Sequence, residues 1–326
     1  MKHLFKGLCL SAMALGAVFG ATTPASANEK LTIAHSTWVG YGPLYIARDK
    51  GFFKDEGLDV DLVIMEDVKT RMPALAAGRI DVAVTTIDTV LAFYSPEHPL
   101  SYLFALDDSR GGDGIVTGKD IKTIADLKGK SIAYTEGSVS QFFLSVLLKN
   151  AGMRLSDVKS MNMSAGDAGA AFVAKKVDAA VTWEPWLTRG KATDHGHLLV
   201  DSSTTPGLIT DIMVTTNDML EKNRPAMEGL YRAWSKAIAW QKANEAEADE
   251  IMAKGVGGWL EDPAVFAETR AGIVFYDDAM NKTFMDPANA DGILGTIKNA
   301  KSLGEEGGLF TIDADPASLI AADIAK

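Results

Sequence analysis

The stretch AGRIDVAVTT, residues 77–86, has a counterpart later in the chain, AKKVDAAVTW at residues 174–183. Each stretch joins the end of a helical pattern to a turn, an acidic residue and an apolar strand that ends near a threonine. In open α/β sheets, ligands bind beyond the carboxyl ends of the strands. The repeat therefore predicts two similar α/β lobes whose strand ends face each other across a cleft.

Short β-branched runs alternate with helical patterns around both copies of this repeat. The alternation predicts an α/β protein in which each lobe is a mainly parallel sheet flanked by helices. After about residue 218 the chain is richer in helical pattern. The predicted elements are strands 31–34, 60–64 and 82–84 with helices 44–50 and 68–77 in the first unit, and strand 131–134 with helix 140–150 in the second.

The first 27 residues are typical of a secretory signal peptide. Two lysines precede an apolar run over residues 7–20, and the sequence ASA at residues 25–27 fits the small-residue pattern of a cleavage site. The apolar run is too short to span a bilayer comfortably. We therefore expect cleavage after Ala27, a mature chain that begins at Asn28, and export to the periplasm.

The positions of cysteine and the net charge argue against a lipoprotein and against a nucleic-acid-binding protein. The only cysteine, Cys9, lies near the start of the apolar run, whereas a lipoprotein signal would place a cysteine after it. The mature chain is therefore predicted to lack a lipid anchor, a disulfide and a cysteine-ligated metal. The segment removed carries two lysines and no acids, so 30 basic residues remain against 43 acidic ones. This negative balance argues against a nucleic-acid partner.

Several short motifs, taken in order, resemble one family of binding proteins. They are WVGYGPLYIA at residues 38–47, KGFF at 50–53, EGL at 56–58, AAGRIDVA at 76–83, IADLKGK at 124–130 and VTWEPW at 181–186. The series resembles the nitrate/sulfonate/taurine class of substrate-binding proteins of ABC importers. The resemblance covers most of the predicted mature chain up to about residue 215.

The resemblance implies a two-lobed periplasmic-binding-protein fold of type II, in which two hinge crossings join the lobes. We expect the crossings near residues 114–117 and 212–216. Lobe one would then hold residues 28–115 and 215–326, and lobe two residues 116–214. The resemblance also implies the partners, which are a small-molecule solute and a membrane permease with its cytoplasmic ATPase, and it suggests a monomer.

Candidate ligand contacts of lobe one lie in loops that follow its predicted strands. Trp38 and Tyr41 stand in a loop rich in glycine with a proline, where the resemblance also implies ligand binding. Thr86 and Asp88 follow the third strand, where they would either cap the next helix or bind a ligand at its N-terminus. Both loops are expected to line the cleft.

Three acidic residues near the expected crossings are further candidates. Asp107 and Asp108 open an acidic, glycine-rich tract before the first crossing, and the resemblance implies that one of them lies in the cleft. A solvated turn, or an ion pair with Arg110, is the alternative explanation of this tract. Asp211 lies near the second crossing. The tract lacks the ligand spacing of an EF-hand calcium loop, so no metal is predicted.

Ser138, Ser140 and Gln141 form the corresponding candidate loop of lobe two. They belong to the stretch EGSVSQ, residues 136–141, between a predicted strand and a predicted helix. In such a turn, backbone N–H groups and hydroxyls can bind an oxyanion. Helix capping explains one of these serines, and the resemblance implies that the whole loop is the second ligand loop of the family.

The tract Trp183-Glu184-Pro185-Trp186 at a strand end is the most specific local signal. An aromatic face beside a carboxylate suits a cation, so Trp183, Glu184 and Trp186 are predicted ligand contacts. The candidate loops also contain several acidic residues but one basic residue, Arg110. Because a lone anion buried among acids is costly, this excess favours a solute with an amine, a guanidine or a taurine-like aminosulfonate group.

Other functions stay open on the sequence. The ligand is alternatively an anionic alkylsulfonate or a pyrimidine-type thiamine precursor, and the protein is alternatively a sensing module for a membrane receptor. An enzyme is disfavoured, because the related enzyme that makes the thiamine pyrimidine depends on cysteine, histidine and iron, and the predicted mature chain has no cysteine. No nucleophile elbow, P-loop or dinucleotide fingerprint occurs. We therefore expect a binding protein with no catalytic residue, no metal and no cofactor.

Overall fold

The computed structural model describes residue 1 and residues 28–326. Apart from its first residue, the predicted signal peptide lies outside the described residues, and so does Cys9. Among the residues that are described, no helix is both long enough and apolar enough to cross a membrane.

Strands and helices alternate along the described chain. The strands are β1 (Glu29–His35), β2 (Leu58–Ile64), β3 (Val82–Thr86), β4 (Leu100–Ser109), β5 (Asp113–Gly118), β6 (Ser131–Tyr134), β7 (Lys159–Asn162), β8 (Ala179–Trp183), β9 (Gly196–Asp201), β10 (Thr210–Thr216) and β11 (Ile273–Phe275). The helices are α1 (Gly42–Asp49), α2 (Phe52–Asp55), α3 (Val68–Ala76), α4 (Ile87–Ala92), α5 (Val139–Asn150), α6 (Ala165–Val173), α7 (Trp186–Lys191), α8 (Asn217–Lys222), α9 (Arg224–Ala243), α10 (Glu245–Val256), α11 (Pro263–Arg270), α12 (Asp278–Phe284) and α13 (Ile293–Glu306). The strands and helices predicted from the sequence lie within one or two residues of these bounds.

These strands form two sheets, which confirms the predicted α/β fold with two lobes. The first sheet has the strand order β11-β4-β10-β3-β1-β2, and the second has the order β7-β6-β8-β5-β9. In each sheet, three strands pair in parallel: β2, β1 and β3 in the first, and β7, β6 and β8 in the second. The two lobes therefore repeat the same parallel unit, as the sequence repeat indicates.

The expectation of mainly parallel sheets is corrected, because both sheets are mixed. Strand β10 pairs antiparallel with β3 and with β4, and β5 pairs antiparallel with β8 and with β9. These antiparallel strands lead into or out of the segments that connect the two sheets. A strand that arrives from the other lobe has no crossover helix of its own, so it is free to add in the antiparallel sense.

Sheet membership shows where the chain passes between the lobes. Strand β4 belongs to the first sheet and β5 to the second, so the first crossing is residues 110–112. The return lies between β9 and β10, at residues 202–209. The expected crossings, 114–117 and 212–216, instead fall inside β5 and β10. That the lobes rotate about these connections stays a prediction, which small-angle scattering with and without ligand would test.

Each lobe has its own apolar core, and one helix of lobe two contributes to both. Tyr102 and Trp234 lie fully buried in the core of lobe one. Phe142 and Val146 of α5 belong to this same cluster, although the opposite side of α5 packs against the second sheet through Phe143. The two lobes are therefore in apolar contact along α5, beside the cleft.

Candidate ligand-binding site

A cavity lies between the two sheets, beyond the ends of strands from both lobes. Lobe one contributes Ser36, which follows β1, together with Thr85 and Thr86 at the end of β3. Lobe two contributes Thr135, which follows β6, and Trp183 at the end of β8. The space between the lining atoms is about 550 Å³, part of it open to solvent. This is the position that the repeated strand ends predict for a ligand.

Two tryptophans, one from each lobe, form an aromatic wall of the cavity. The rings of Trp38 and Trp183 meet edge to face, with centroids 6.2 Å apart and planes at 78°. Trp38 Nε1 donates to the carboxylate of Asp107 at 3.2 Å. Trp183 Nε1 donates to the backbone oxygen of Thr37 at 3.1 Å, and this bond joins the lobes across the cleft. Asp107 is thus placed as a support for Trp38 and is not part of the cavity lining.

Tyr41 and Asp211 form a buried pair on the lobe-one side of the cavity. The Tyr41 hydroxyl donates a hydrogen bond to Asp211, and both side chains line the cavity. Burial raises the pKa of the Asp211 carboxyl, and the hydrogen bond from Tyr41 opposes part of the rise. The pair places a carboxyl group that is costly to ionise in the wall of the site.

Asp113 supplies a second buried carboxyl group, which the sequence interpretation missed. It is the first residue of β5 and lines the cavity from the lobe-two side. Burial raises the pKa of Asp113 to about 7, the Ser109 hydroxyl opposes part of the rise, and the charge of Asp88 adds to it. A signal was present in the sequence, because Asp113 belongs to the same glycine-rich tract as Asp107 and Asp108.

Thr86 lines the cavity, whereas its neighbour Asp88 does not. Asp88 lies in the first turn of α4 and is fully buried, and its Oδ1 atom has no hydrogen-bond partner within residues 28–326. Burial raises the pKa of Asp88 to about 6. The charge of Asp88 also contributes to the raised pKa of Asp211. Asp88 therefore acts on the site through its charge rather than by contact.

Arg71 is a buried cation that the sequence interpretation also missed. It lies on α3, is 2% exposed and lines the cavity. Its Nη1 atom donates to the backbone oxygen of Met65, and its Nε atom has no partner in the described part of the chain. Burial lowers the Arg71 pKa, while nearby acids, including Glu66, raise it. The charge count that rested on Arg110 alone is therefore corrected, since the cavity holds a base as well as acids.

Serine hydroxyls at two helix starts of lobe two also line the cavity. Ser138 caps α5 by accepting from the backbone N–H of Ser140 at 3.2 Å. Ser164 caps α6 in the same way. Ser140 is buried outside the lining, and Gln141 accepts from the backbone N–H of Gly137 at 2.7 Å. Of the three predicted contacts in this loop, Ser138 is therefore the one that lines the cavity, and Gln141 shapes the turn.

Glu184 and Trp186, both predicted contacts, lie outside the cavity lining. Glu184 accepts hydrogen bonds from the backbone N–H and the hydroxyl of Thr188, each at 2.9 Å. It therefore satisfies the first turn of α7. The guanidinium of Arg189 lies 4.8 Å from the centre of the Trp186 ring. The cation beside this tryptophan is thus one of the protein's own side chains.

Asp108 also lies outside the cavity lining. It forms an ion pair with Arg110, which is the alternative that the sequence left open for this tract. Burial raises the pKa of Asp108, and Arg110 opposes that rise. Among the described residues, no group of three or more His, Cys, Asp or Glu side chains is arranged to hold a metal ion.

The chain is similar to one protein family and to several known binding proteins. A family model described as NMT1/THI5 like matches residues 38–248. A putative binding protein of Brucella abortus is 25% identical over 249 residues, which are 74% of this chain and 76% of the relative. A putative aliphatic sulfonates-binding protein of Bacillus subtilis is 26% identical over 215 residues, 64% of this chain and 65% of the relative. The crystal structure of the periplasmic aliphatic sulphonate binding protein SsuA from Escherichia coli superposes with a TM-score of 0.70 at 22% identity, and covers 91% of this chain and 99% of its own.

The fold is that of the two-lobed periplasmic binding proteins, as the sequence predicts. The chain belongs to the NMT1/THI5-like family, whose model spans more than half of its length. This membership confirms the resemblance to the nitrate/sulfonate/taurine class of binding proteins. Which solute this chain binds is a separate question, which the chemistry of its own cavity addresses.

Proposed function

We propose that this protein is the solute-binding component of an ABC importer and captures a small solute that carries a cationic group. The cationic group is an amine or a guanidine, and the amine of an aminosulfonate solute is one such group. The observation that carries this proposal is the presence of two buried carboxyl groups, Asp113 and Asp211, in the lining of one cavity. The protein acts as a carrier rather than an enzyme, and delivers the solute to a permease and its ATPase.

A cation relieves the cost of these buried carboxyl groups. Burial disfavours the charged form of an acid, which is why the pKa values of Asp113 and Asp211 are raised. A cation bound between them stabilises the ionised form by Coulomb attraction, which is strong in a buried site. The rings of Trp38 and Trp183 add an aromatic surface, which favours a desolvated cation.

The same cavity also offers groups that suit an anion. Arg71 presents a buried guanidinium, and Ser138 and Ser164 present hydroxyls at helix starts. A zwitterion such as an aminosulfonate would use both halves of the site. An alkylsulfonate without an amine is the second candidate, which Arg71 and the sulfonates-binding relative of Bacillus subtilis favour.

Calorimetry with a matched set of solutes tests the ligand class. The set is 2-aminoethanesulfonate, ethanesulfonate, ethylamine and ethylguanidine, which differ in the charged groups that they carry. We expect the ligand with an amine or guanidine to bind about 10- to 100-fold more tightly than ethanesulfonate, since a hydrogen bond to a charged group contributes ~1.5–3 kcal/mol. Equal or tighter binding of ethanesulfonate would contradict the cationic ligand and favour the second candidate.

A matched control variant is available beside the site. Glu184→Gln removes a carboxylate that stands next to Trp183 in sequence but bonds to Thr188. We expect this change to lower the melting temperature without altering the ratio of affinities across the solute set. A changed ratio would instead return Glu184 to the ligand site.

Export to the periplasm gives a separate prediction. We expect the exported protein to begin at Asn28 and to carry no lipid, because residues 25–27 have the cleavage pattern and Cys9 lies before them. Intact mass spectrometry of the periplasmic fraction measures both properties. A retained N-terminus, or a mass increase that corresponds to lipid, would contradict the prediction.

A further inference from the structure

Asp113 lines the cavity and also lies next to the first crossing between the lobes. It follows directly on the first crossing, residues 110–112, and it begins β5. In the antiparallel pairing of β5 with β8, Asp113 lies directly opposite Trp183. Directly paired residues project to the same face of a sheet, and both of these line the cavity. The acid that shares a face of the sheet with Trp183 is thus Asp113, whereas the sequence suggested Glu184.

A pair of buried serines fixes the backbone of Asp113. Ser202, from the return crossing, is fully buried, and its hydroxyl accepts from the N–H of Gly111 at 2.8 Å and of Asp113 at 3.4 Å. The Ser109 hydroxyl accepts from the same Asp113 N–H at 3.1 Å and lies 2.8 Å from the Ser202 hydroxyl. One hydroxyl pair therefore ties both crossings to the residue that enters the cavity.

Close packing leaves little room for this segment to shift. A Cβ atom on Gly112 would lie 2.6 Å from the ring of Trp38 and 3.2 Å from the backbone oxygen of Gly272. The N–H of Gly112 also donates to that oxygen at 2.9 Å. Trp38 and the backbone of Gly272 thus hold the crossing in place. The position of Asp113, the next residue along the chain, therefore depends on the geometry of the crossing.

The carboxylates that line the cavity differ in their partners within the protein. Asp211 accepts from the Tyr41 hydroxyl. Glu66 is exposed, and accepts from the backbone N–H of Thr37 at 3.1 Å and from the Thr37 hydroxyl at 2.5 Å. For Asp113, the backbone N–H donates to the two serine hydroxyls, and its carboxyl group has the Ser109 hydroxyl beside it, which opposes part of the rise of its pKa.

We propose that Asp113 is the residue that selects the cationic group of the solute, and that Ser202 and Ser109 are positioning residues for its carboxylate. The inference rests on the proposed function and goes one step further, because it assigns the selectivity to one of two candidate acids. It also means that the group that recognises the ligand's charge lies beside the first crossing between the lobes, where a rotation of the lobes would move the Asp113 carboxylate.

The test compares four variants against two probes, 2-aminoethanesulfonate and ethanesulfonate, by calorimetry on the full mature chain. The variants are Asp113→Asn, Asp211→Asn, Ser202→Ala and, as control, Ser203→Ala, which alters an exposed serine next in sequence. The quantity measured is the ratio of the two affinities, because loss of folding or of general packing weakens both probes together. Circular dichroism verifies that each variant is folded, and Asp113→Ser is a second variant at that position.

We expect Asp113→Asn to lower the affinity ratio by about 10- to 100-fold while ethanesulfonate binding changes by less than about threefold. Ser202→Ala and Asp211→Asn are each expected to lower the ratio in the same direction by a smaller factor than Asp113→Asn, and Ser203→Ala to keep it. A wild-type ratio in both Asp113 variants would overturn the assignment, and an equal loss for both probes in Ser202→Ala would overturn the positioning role. If the wild-type protein itself does not prefer the amine, the proposed function fails before any variant is measured.

Discussion

Replacement of Gly40 by alanine is expected to abolish tight ligand binding and to lower the free energy of unfolding by about 2–4 kcal/mol. Gly40 lies in the turn that carries Trp38 and Tyr41, both of which line the cavity. A Cβ atom at this position would lie 1.9 Å from Oδ2 and 2.4 Å from Cγ of Asp107, and 2.5 Å from Nε1 of Trp38. No real contact is that short, so the Trp38–Asp107 hydrogen bond would have to break.

The break has a double consequence. Asp107 is fully buried, so a carboxyl group without its indole partner is left unsatisfied, which costs ~1–3 kcal/mol. Trp38 would also lose the position in which its ring meets Trp183. We therefore expect both stability and affinity to fall, and by more than for a glycine within a regular helix.

Gly229→Ala is the matched control for this change. Gly229 lies within the long helix α9, where the nearest atom to a new Cβ is Leu58 Cδ1 at 3.2 Å. Alanine favours helix by about 0.5–1 kcal/mol over glycine, which offsets the tight contact. Thermal unfolding and calorimetry of both variants make the comparison. Unchanged stability and affinity in Gly40→Ala would show that the Trp38–Asp107 contact does not support the site.

The features that the sequence predicted correctly are those that local chemistry determines. Apolar runs predicted a strand at residues 82–84 and another within residues 174–183, and the structure has β3 at Val82–Thr86 and β8 at Ala179–Trp183. The serine-rich turn before α5 was recognised because a hydroxyl before a helical pattern is typical of a cap, and Ser138 does cap that helix. These signals need no knowledge of what lies across the sheet.

The features that the sequence did not predict depend on contacts between distant segments. Asp113 was missed because the pairing of β5 with β8, which brings it opposite Trp183, joins residues far apart in the chain. Glu184 stands next to Trp183 in sequence, but successive side chains of an extended chain point to opposite faces. Arg71 was missed because no motif near residue 71 marks it, and its place in the cavity wall depends on segments that lie far from α3 in the chain.

The pH dependence of binding should reveal the sign of the ligand's charge. In the free protein, burial raises the pKa of Asp113 to about 7 and also raises that of Asp211. The raised pKa means that the folded state keeps a proton that the unfolded chain loses near pH ~4. Stability from this group is complete below pH ~4 and is lost as the pH rises to about 7, because the ionised carboxyl is poorly solvated in the cavity.

A bound cation reverses this penalty, since it requires the ionised carboxylate. Below the pKa of Asp113 the ligand has to displace a proton, so its affinity is expected to fall by about tenfold for each pH unit. From pH 8 to pH 5 the total loss is about 100-fold for one carboxyl group with a pKa near 7. The charges of Asp88, Asp211 and Arg71 also act within the site, so Asp113→Asn is the necessary comparison.

Calorimetry between pH 5 and pH 8 in buffers of different ionisation enthalpy measures both the affinity and the protons released. For the wild-type protein with 2-aminoethanesulfonate, we expect the affinity to rise with pH and close to one proton to be released near pH 6. For Asp113→Asn we expect the affinity to rise less steeply with pH, and the remaining rise comes from Asp211, whose pKa burial raises to about 8, and from Asp88. An anionic ligand behaves in the opposite way, because it binds more tightly when the cavity acids are protonated and takes up protons on binding. An affinity that increases as the pH falls would therefore refute a cationic ligand and identify the site as one for an anion.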